Sequence, residues 1–158
     1  MSATVERLLG LTVGDVMTRN VYPISESLSM AEVAKILCEH NISGAPVVDA
    51  AGSCVGVIDS SDFVRRERQI GEDQPLASGG ADRNVDVSED RVSTFMTKEL
   101  RTISPEAPLM EAAQQMSMEH IRRLPVVDSA GKPIGILTTT DLVAVIVNIV
   151  DEVRTQGQ

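Results

Sequence analysis

The chain has two cysteines, Cys38 and Cys54, in 158 residues, too few for a disulfide scaffold, and they do not form a CxxC pair. It has no long apolar run. The most hydrophobic stretch, LVAVIVNIV at 142–150, is far too short to cross about 30 Å of hydrocarbon. It has no excess of positive charge either. Fourteen Lys+Arg against 23 Asp+Glu leave a net charge of -9, a surface that repels phosphate backbones and disfavours nucleic-acid binding. The start carries Glu6 and no basic region followed by an apolar stretch, unlike a secretory signal, so a cytoplasmic protein is expected. Tryptophan is absent and aromatics make up 2%, yet 42% of residues are apolar, which matches a globular chain rather than a disordered one.

What is present is a repeat. Residues 13–64 lie over 92–143 at a constant offset of 79, without a gap and with 17 identities in 52 positions. PVVDAAG (46–52) lies over PVVDSAG (125–131), Met17-Thr18 over Met96-Thr97, Ile24-Ser25 over Ile103-Ser104, Gly56 over Gly135, and Asp62 over Asp141. Each copy predicts the same elements. A short extended piece near Ile24 or Ile103 precedes a helix, which in copy one starts with the capping box Ser29/Glu32. That helix carries Met30, Val33, Ala34 and Leu37 in a stripe with Cys38 beside it; copy two has Leu109, Ala112, Ala113 and Met116. Two strands follow, Ala45–Val48 and Val55–Ile58, or Leu124–Val127 and Ile134–Leu137, each pair joined by an Asp-to-Gly turn. A second helix then opens, and in copy two it presents Leu142, Val145, Ile146, Ile149 and Val153 on one side.

A unit of about 50 residues buries too little surface to be comfortable alone, so two copies are expected to share a core and leave related clefts between them. The expected division is 1–66 for the first domain with its N-terminal segment, 67–91 for a Gly-, Pro- and acid-rich linker, and 92–154 for the second. Apolar surface left on 142–153 points to a homodimer. Gly79-Gly80 in the linker has no strand before it and no lysine after it, so it is not a phosphate loop.

The candidate site is the strand-to-helix junction GILTTTD (135–141). Thr138 is a good cap, the start of a helix favours an anion, and Asp141 can accept from the neighbouring hydroxyls of a ribose. A diol on one side and a phosphate on the other make a nucleotide. The same two residues could instead simply satisfy the first helical turn, and spacing alone leaves both readings open. Arg122 and Arg123, where copy one has Ser43 and Gly44, could fork onto phosphate oxygens or stand as a solvated strand entry. In copy one the junction reads GVIDSSD (56–62); Asp59 would repel a phosphate, leaving Asp62 as the acceptor of a weaker second site. His40 and His120 do not align and lie in no cluster with metal-ligand spacing. Cys38 and Cys54 read as small buried hydrophobes, and the pairs Glu89-Asp90 and Asp151-Glu152 as solvated surface. No nucleophile–base–acid set is present, so no catalytic residue, metal or covalent cofactor is expected.

With VMTRNVYPIS and FMTKELRTIS, ISGAPVVDAAG and IRRLPVVDSAG, and GVIDSSD and GILTTTD, the chain resembles a pair of CBS domains, the module named after cystathionine beta-synthase and called a Bateman module when doubled. The resemblance implies an α/β (α+β) fold of tandem domains, each β-α-β-β-α, packed with pseudo-two-fold symmetry. It also implies an N-terminal segment that packs on the other copy and a disk-like homodimer. It implies a sensor whose regulatory ligand is AMP, ADP, ATP or S-adenosylmethionine, bound in a cleft between the repeats. By that resemblance Asp141 takes the ribose and Thr138 the phosphate. The backbone at Thr102, Ile103 and Ser104, with apolar side chains near Leu124 and Pro125, lines the adenine, and Arg123 with Arg122 approaches the phosphates. No effector domain is recognisable, so the signal is expected to pass to an unidentified partner protein. The alternative is a ligand-independent interaction or dimerisation module.

Overall fold

A computed structural model of the chain describes residues 2–72, 90–98 and 101–157. Along the first part run α1 (Ala3–Gly10), α2 (Val13–Val16), β1 (Ile24–Ser25), α3 (Met30–Glu39), β2 (Gly44–Val48), β3 (Cys54–Asp59) and α4 (Ser60–Glu72). Then come α5 (Val92–Phe95), α6 (Leu109–Met118), β4 (Arg123–Val127), β5 (Pro133–Thr138) and α7 (Thr139–Gln156). Copy one is therefore β-α-β-β-α. In copy two the first strand has shrunk to an isolated parallel bridge, Ile103 to Val126. Most of the stretch read as a linker, with Gly79-Gly80 and Glu89, lies outside the described residues.

Contacts divide the chain into two units, one of them built from two separate stretches. Unit 1 is 1–21 with 101–158, and unit 2 is 22–100. Each unit thus combines the β-α-β-β-α elements of one copy with the short helix that precedes the other. In unit 1 Thr12 bridges Pro108 and Thr18 bridges Ile136; in unit 2 the homologous Arg91 and Thr97 bridge Ser29 and Val57.

Local chemistry explains the elements. Ser29 and Glu32 form the expected capping box: the Glu32 N–H donates to Ser29 Oγ (3.2 Å) and the Ser29 N–H to Glu32 Oε2 (2.9 Å). The hairpin β2–β3 turns on Asp49, whose Oδ1 accepts the N–H groups of Ala51 and Ser53; Asp128 does the same for Ala130 and Lys132 in β4–β5. Gly52 and Gly131 close these turns at φ +82° and +78°, a region that glycine enters without steric penalty. The core of unit 1 is Val13, Met17, Ile103, Leu109, Ala112, Met116, Leu124, Val126 and Leu137. That of unit 2 is Ile24, Met30, Val33, Leu37, Ala45, Val47, Ile58, Val92 and Met96.

Several expectations change. Cys38 is exposed and Cys54 is half-buried, because the buried stripe of α3 is Met30, Val33 and Leu37 and residue 38 falls outside it. Asp90 is not solvated surface: its carboxylate takes a two-pronged contact from Arg66 Nε and Nη2. Asp151 is exposed, but its neighbour Glu152 pairs with Arg7 of α1. The apolar residues of α7 divide between two environments. Leu142 and Val145 pack on the unit 1 core, whereas Ile146 and Val153 point outward.

Candidate ligand site

β5 ends at Thr138, and α7 begins one residue later. Thr138 Oγ1 accepts the N–H of Asp141 (3.1 Å), and Asp141 Oδ2 accepts the N–H of Thr138 (2.9 Å). Capping is therefore real here, and it does not exhaust the groups. The Thr138 hydroxyl keeps its own proton to donate, and a carboxylate has about four acceptor sites.

Asp141 has a further partner that sequence reasoning missed. The Thr18 hydroxyl donates to Asp141 Oδ1 at 3.1 Å. Thr18 is brought there by the exchange of N-terminal segments. Its N–H donates to the Ile136 carbonyl (2.9 Å), and the Ile136 N–H donates back (3.0 Å), so Thr18 forms an antiparallel bridge to the edge of β5. This approach needs glycine at 135. A Cβ there would stand 2.5 Å from Met17 Sδ and 3.0 Å from the Thr18 carbonyl oxygen. The signal available in the sequence was the recurrence of Met-Thr and of Gly56/Gly135 at one offset.

Of the remaining predicted residues, Arg122 and Arg123 stand at the same end of the β4–β5 hairpin as Thr138, whereas Thr102, Ile103 and Ser104 lie against the middle and turn half of β4. Arg123 lies opposite Thr138 in the strand register, and the Arg122 carbonyl accepts the N–H of Thr139 (3.2 Å). Arg122 is exposed and Arg123 half-buried. Thr102, Ile103 and Ser104 run beside β4: the Ile103 N–H donates to the Pro125 carbonyl, and the Val127 N–H to the Ile103 carbonyl, each at 3.0 Å. Thr102 and Ser104 are exposed, and Ser104 donates to the Glu106 carboxylate, holding that acid below its ordinary range. Leu124 is 0% exposed and belongs to the core, so it supports the site from beneath; Pro125 is buried beside it. A helix start that favours anions thus stands next to an oriented carboxylate and two arginines.

The homologous junction in unit 2 differs. Asp62 is 2% exposed. Its Oδ2 accepts the N–H of Asp59 (2.8 Å), and its Oδ1 accepts from Arg65 Nη2 (2.5 Å). Arg65 also donates to the Phe95 carbonyl (2.6 Å). Burial pushes the Asp62 carboxyl up, with the charge of Asp59 adding to it, while the Asp59 N–H and Arg65 oppose the rise. Asp59 Oδ1 accepts the N–H of Ser61 (2.9 Å), the capping role expected of it. Elsewhere His40 stacks on Tyr22 at 3.7 Å, and burial pushes the Cys54 thiol up. Among the described residues no group of three or more His, Cys, Asp or Glu is placed to hold a metal, and no helix is long and apolar enough to cross a membrane.

Two copies of one β-α-β-β-α pattern, each completed by the other's leading segment, define a class of tandem domain. The chain belongs to the CBS domain family, whose model matches residues 13–68 and 92–148. CBS domain pairs are regulatory, not catalytic. Among curated relatives, a CBS domain-containing protein of Dictyostelium discoideum is 28% identical over 146 residues, covering 92% of this chain and 97% of that protein. An uncharacterized protein of Methanocaldococcus jannaschii is 30% identical over 142 residues, and homoserine O-acetyltransferase of Methanococcoides burtonii is 30% identical over 131. These matches cover 90% and 83% of this chain, but only 42% and 23% of the two longer proteins. Of solved structures, CBSX2 in complex with AMP is 30% identical with a TM-score of 0.69, covering 89% of this chain and 98% of that one. The CBS domain pair of protein MJ0100, in complex with 5-methylthioadenosine and S-adenosyl-L-methionine, is 27% identical with a TM-score of 0.71, covering 87% and 96%.

Proposed function

We propose that unit 1 binds an adenosine-containing ligand (AMP, ADP, ATP or S-adenosylmethionine) at the Thr138/Asp141 junction and signals its presence to a partner protein. The observation that carries this reading is the Asp141 carboxylate. The Thr138 N–H and the Thr18 hydroxyl hold it in place, it is half-buried, and it retains acceptor sites that a ribose diol can use. Arg122 and Arg123 stand where they can meet a phosphate. Support also comes from the three ligands in the crystals of CBSX2 and of the MJ0100 pair, all adenosine compounds. Calorimetric titration of the protein with AMP, ADP, ATP and S-adenosylmethionine is expected to show binding of at least one of them. Asp141→Ala is expected to weaken it by about tenfold or more, since hydrogen bonds to a charged group are lost. Equal affinity in the mutant, or no binding at millimolar ligand, overturns the proposal.

Assembly as a homodimer is favoured by a separate observation. Val143, Ile146, Val147, Val150 and Val153 of α7 are 42–60% exposed. Positions 143, 146, 150 and 153 follow the three-four spacing of a seam between two helices. The homologous face of α4 carries Val64, Glu67 and Arg68, so the apolar stripe belongs to α7 alone of the two. The partner that fits it is α7 of a second copy. Sedimentation should show a dimer that Ile146→Glu converts to monomer and Val64→Glu leaves intact. A monomeric parent protein, or a dimer indifferent to Ile146→Glu, removes this reading.

A further inference from the structure

The two junctions share an aspartate at the third position of the helix, yet their surroundings are opposite. In unit 1, Asp141 meets neutral donors, the Thr138 N–H and the Thr18 hydroxyl. The residue one turn further along α7, on the same side, is the exposed Ala144. In unit 2 that position is Arg65, which reaches back to Asp62 Oδ1 at 2.5 Å and is anchored at the same time on the Phe95 carbonyl at 2.6 Å. The second contact separates it from an ordinary surface pair of the helix. A single Nη2 nitrogen joins the buried acid to the leading segment of the other copy, so the guanidinium is placed by the fold. An exposed pair of this spacing contributes little, but here one partner is 2% exposed and has few other ways to be satisfied. A guanidinium offers paired N–H donors to a carboxylate much as a diol offers paired hydroxyls.

Resting on the adenosine-site reading above, we propose that Arg65 is a built-in substitute for the ligand at the unit 2 junction. It holds Asp62 so that each chain presents one adenosyl-ligand site, in unit 1. Asp59 adds a second barrier, against phosphate. The probe for unit 2 is therefore adenosine, which carries the diol and no phosphate.

The test exchanges the two positions. Arg65→Ala in an Asp141→Ala background is expected to gain adenosine binding that the Asp141→Ala parent lacks, whereas Arg65→Lys, which keeps a cation, is expected to gain none. Conversely, Ala144→Arg is expected to weaken AMP binding at unit 1 by about tenfold or more, because the diol must then displace a charge-assisted pair. Ala144→Gln, of similar bulk and neutral, is expected to weaken it far less. Thermal unfolding of each variant checks that it is folded. Since Ala144 is exposed, the Ala144 arm stands if Arg65→Ala fails to fold. Full AMP affinity in Ala144→Arg, or a folded Arg65→Ala/Asp141→Ala protein that ignores adenosine, overturns the substitute role and leaves the unit 1 reading intact. If the parent protein binds no adenosine compound but the Arg65→Ala variant does, the substitute role stands and the unit 1 reading falls. If neither binds, both fall.

Discussion

Gly135→Val is expected to lower stability by about 1–3 kcal/mol, the usual range for forcing extra bulk into a packed site. It is also expected to abolish ligand binding at unit 1. The physical reason is local. The added carbons enter space held by Met17 Sδ and the Thr18 carbonyl, so the segment bridged to β5 at Thr18 must move away from it. With it goes the hydroxyl that orients Asp141. Urea unfolding read beside AMP titration checks both effects. A valine variant with unchanged stability would mean that the N-terminal segment does not lie against β5 at all. Gly56→Val should destabilise unit 2 in the same way, because Met96 and Thr97 approach Gly56 as Met17 and Thr18 approach Gly135.

Leu124→Ala should cost more, about 2–5 kcal/mol, since it leaves a cavity in a well-packed core. Leu124 is 0% exposed and belongs to the same core as Leu137, Met116 and Val126, within β4 between Arg123 and Pro125. Leu124→Met, which nearly conserves volume, should cost less than about 1.5 kcal/mol. Denaturant midpoints of the two variants provide the measurement. Similar values for both would show that Leu124 is not a core residue but an open wall of the site.

The helices, hairpins and turns were legible because their signals are local. Ser29 and Glu32 announce a capping box three residues apart, and the Asp-to-Gly turns need only five residues to form. The Thr138/Asp141 junction was legible for the same reason. Thr18 was not. Its contact with Asp141 spans 123 residues of chain, and although Met17-Thr18 recurs as Met96-Thr97, the repeat names no partner for the threonine. Nor was Arg65, since nothing in the sequence around it says that its side chain turns back onto Asp62. Which residues of α7 meet the core was not legible either: Leu142 and Val145 pack inward while Ile146 and Val153 stay exposed, and a helix apolar around much of its circumference does not reveal that choice by composition.

By itself the sequence determined that two copies of one small α/β unit are present, where their helices and turns fall, and which junction carries the threonine-aspartate pair. These follow from hydrogen bonds and periodicities that close within a few residues. Only the tertiary structure decided that each unit borrows the other copy's leading segment, that Asp141 is oriented by Thr18, and that Asp62 is already held by Arg65. Those outcomes depend on which surfaces meet when residues far apart in the chain bury their apolar sides, a matter of packing that no local pattern encodes.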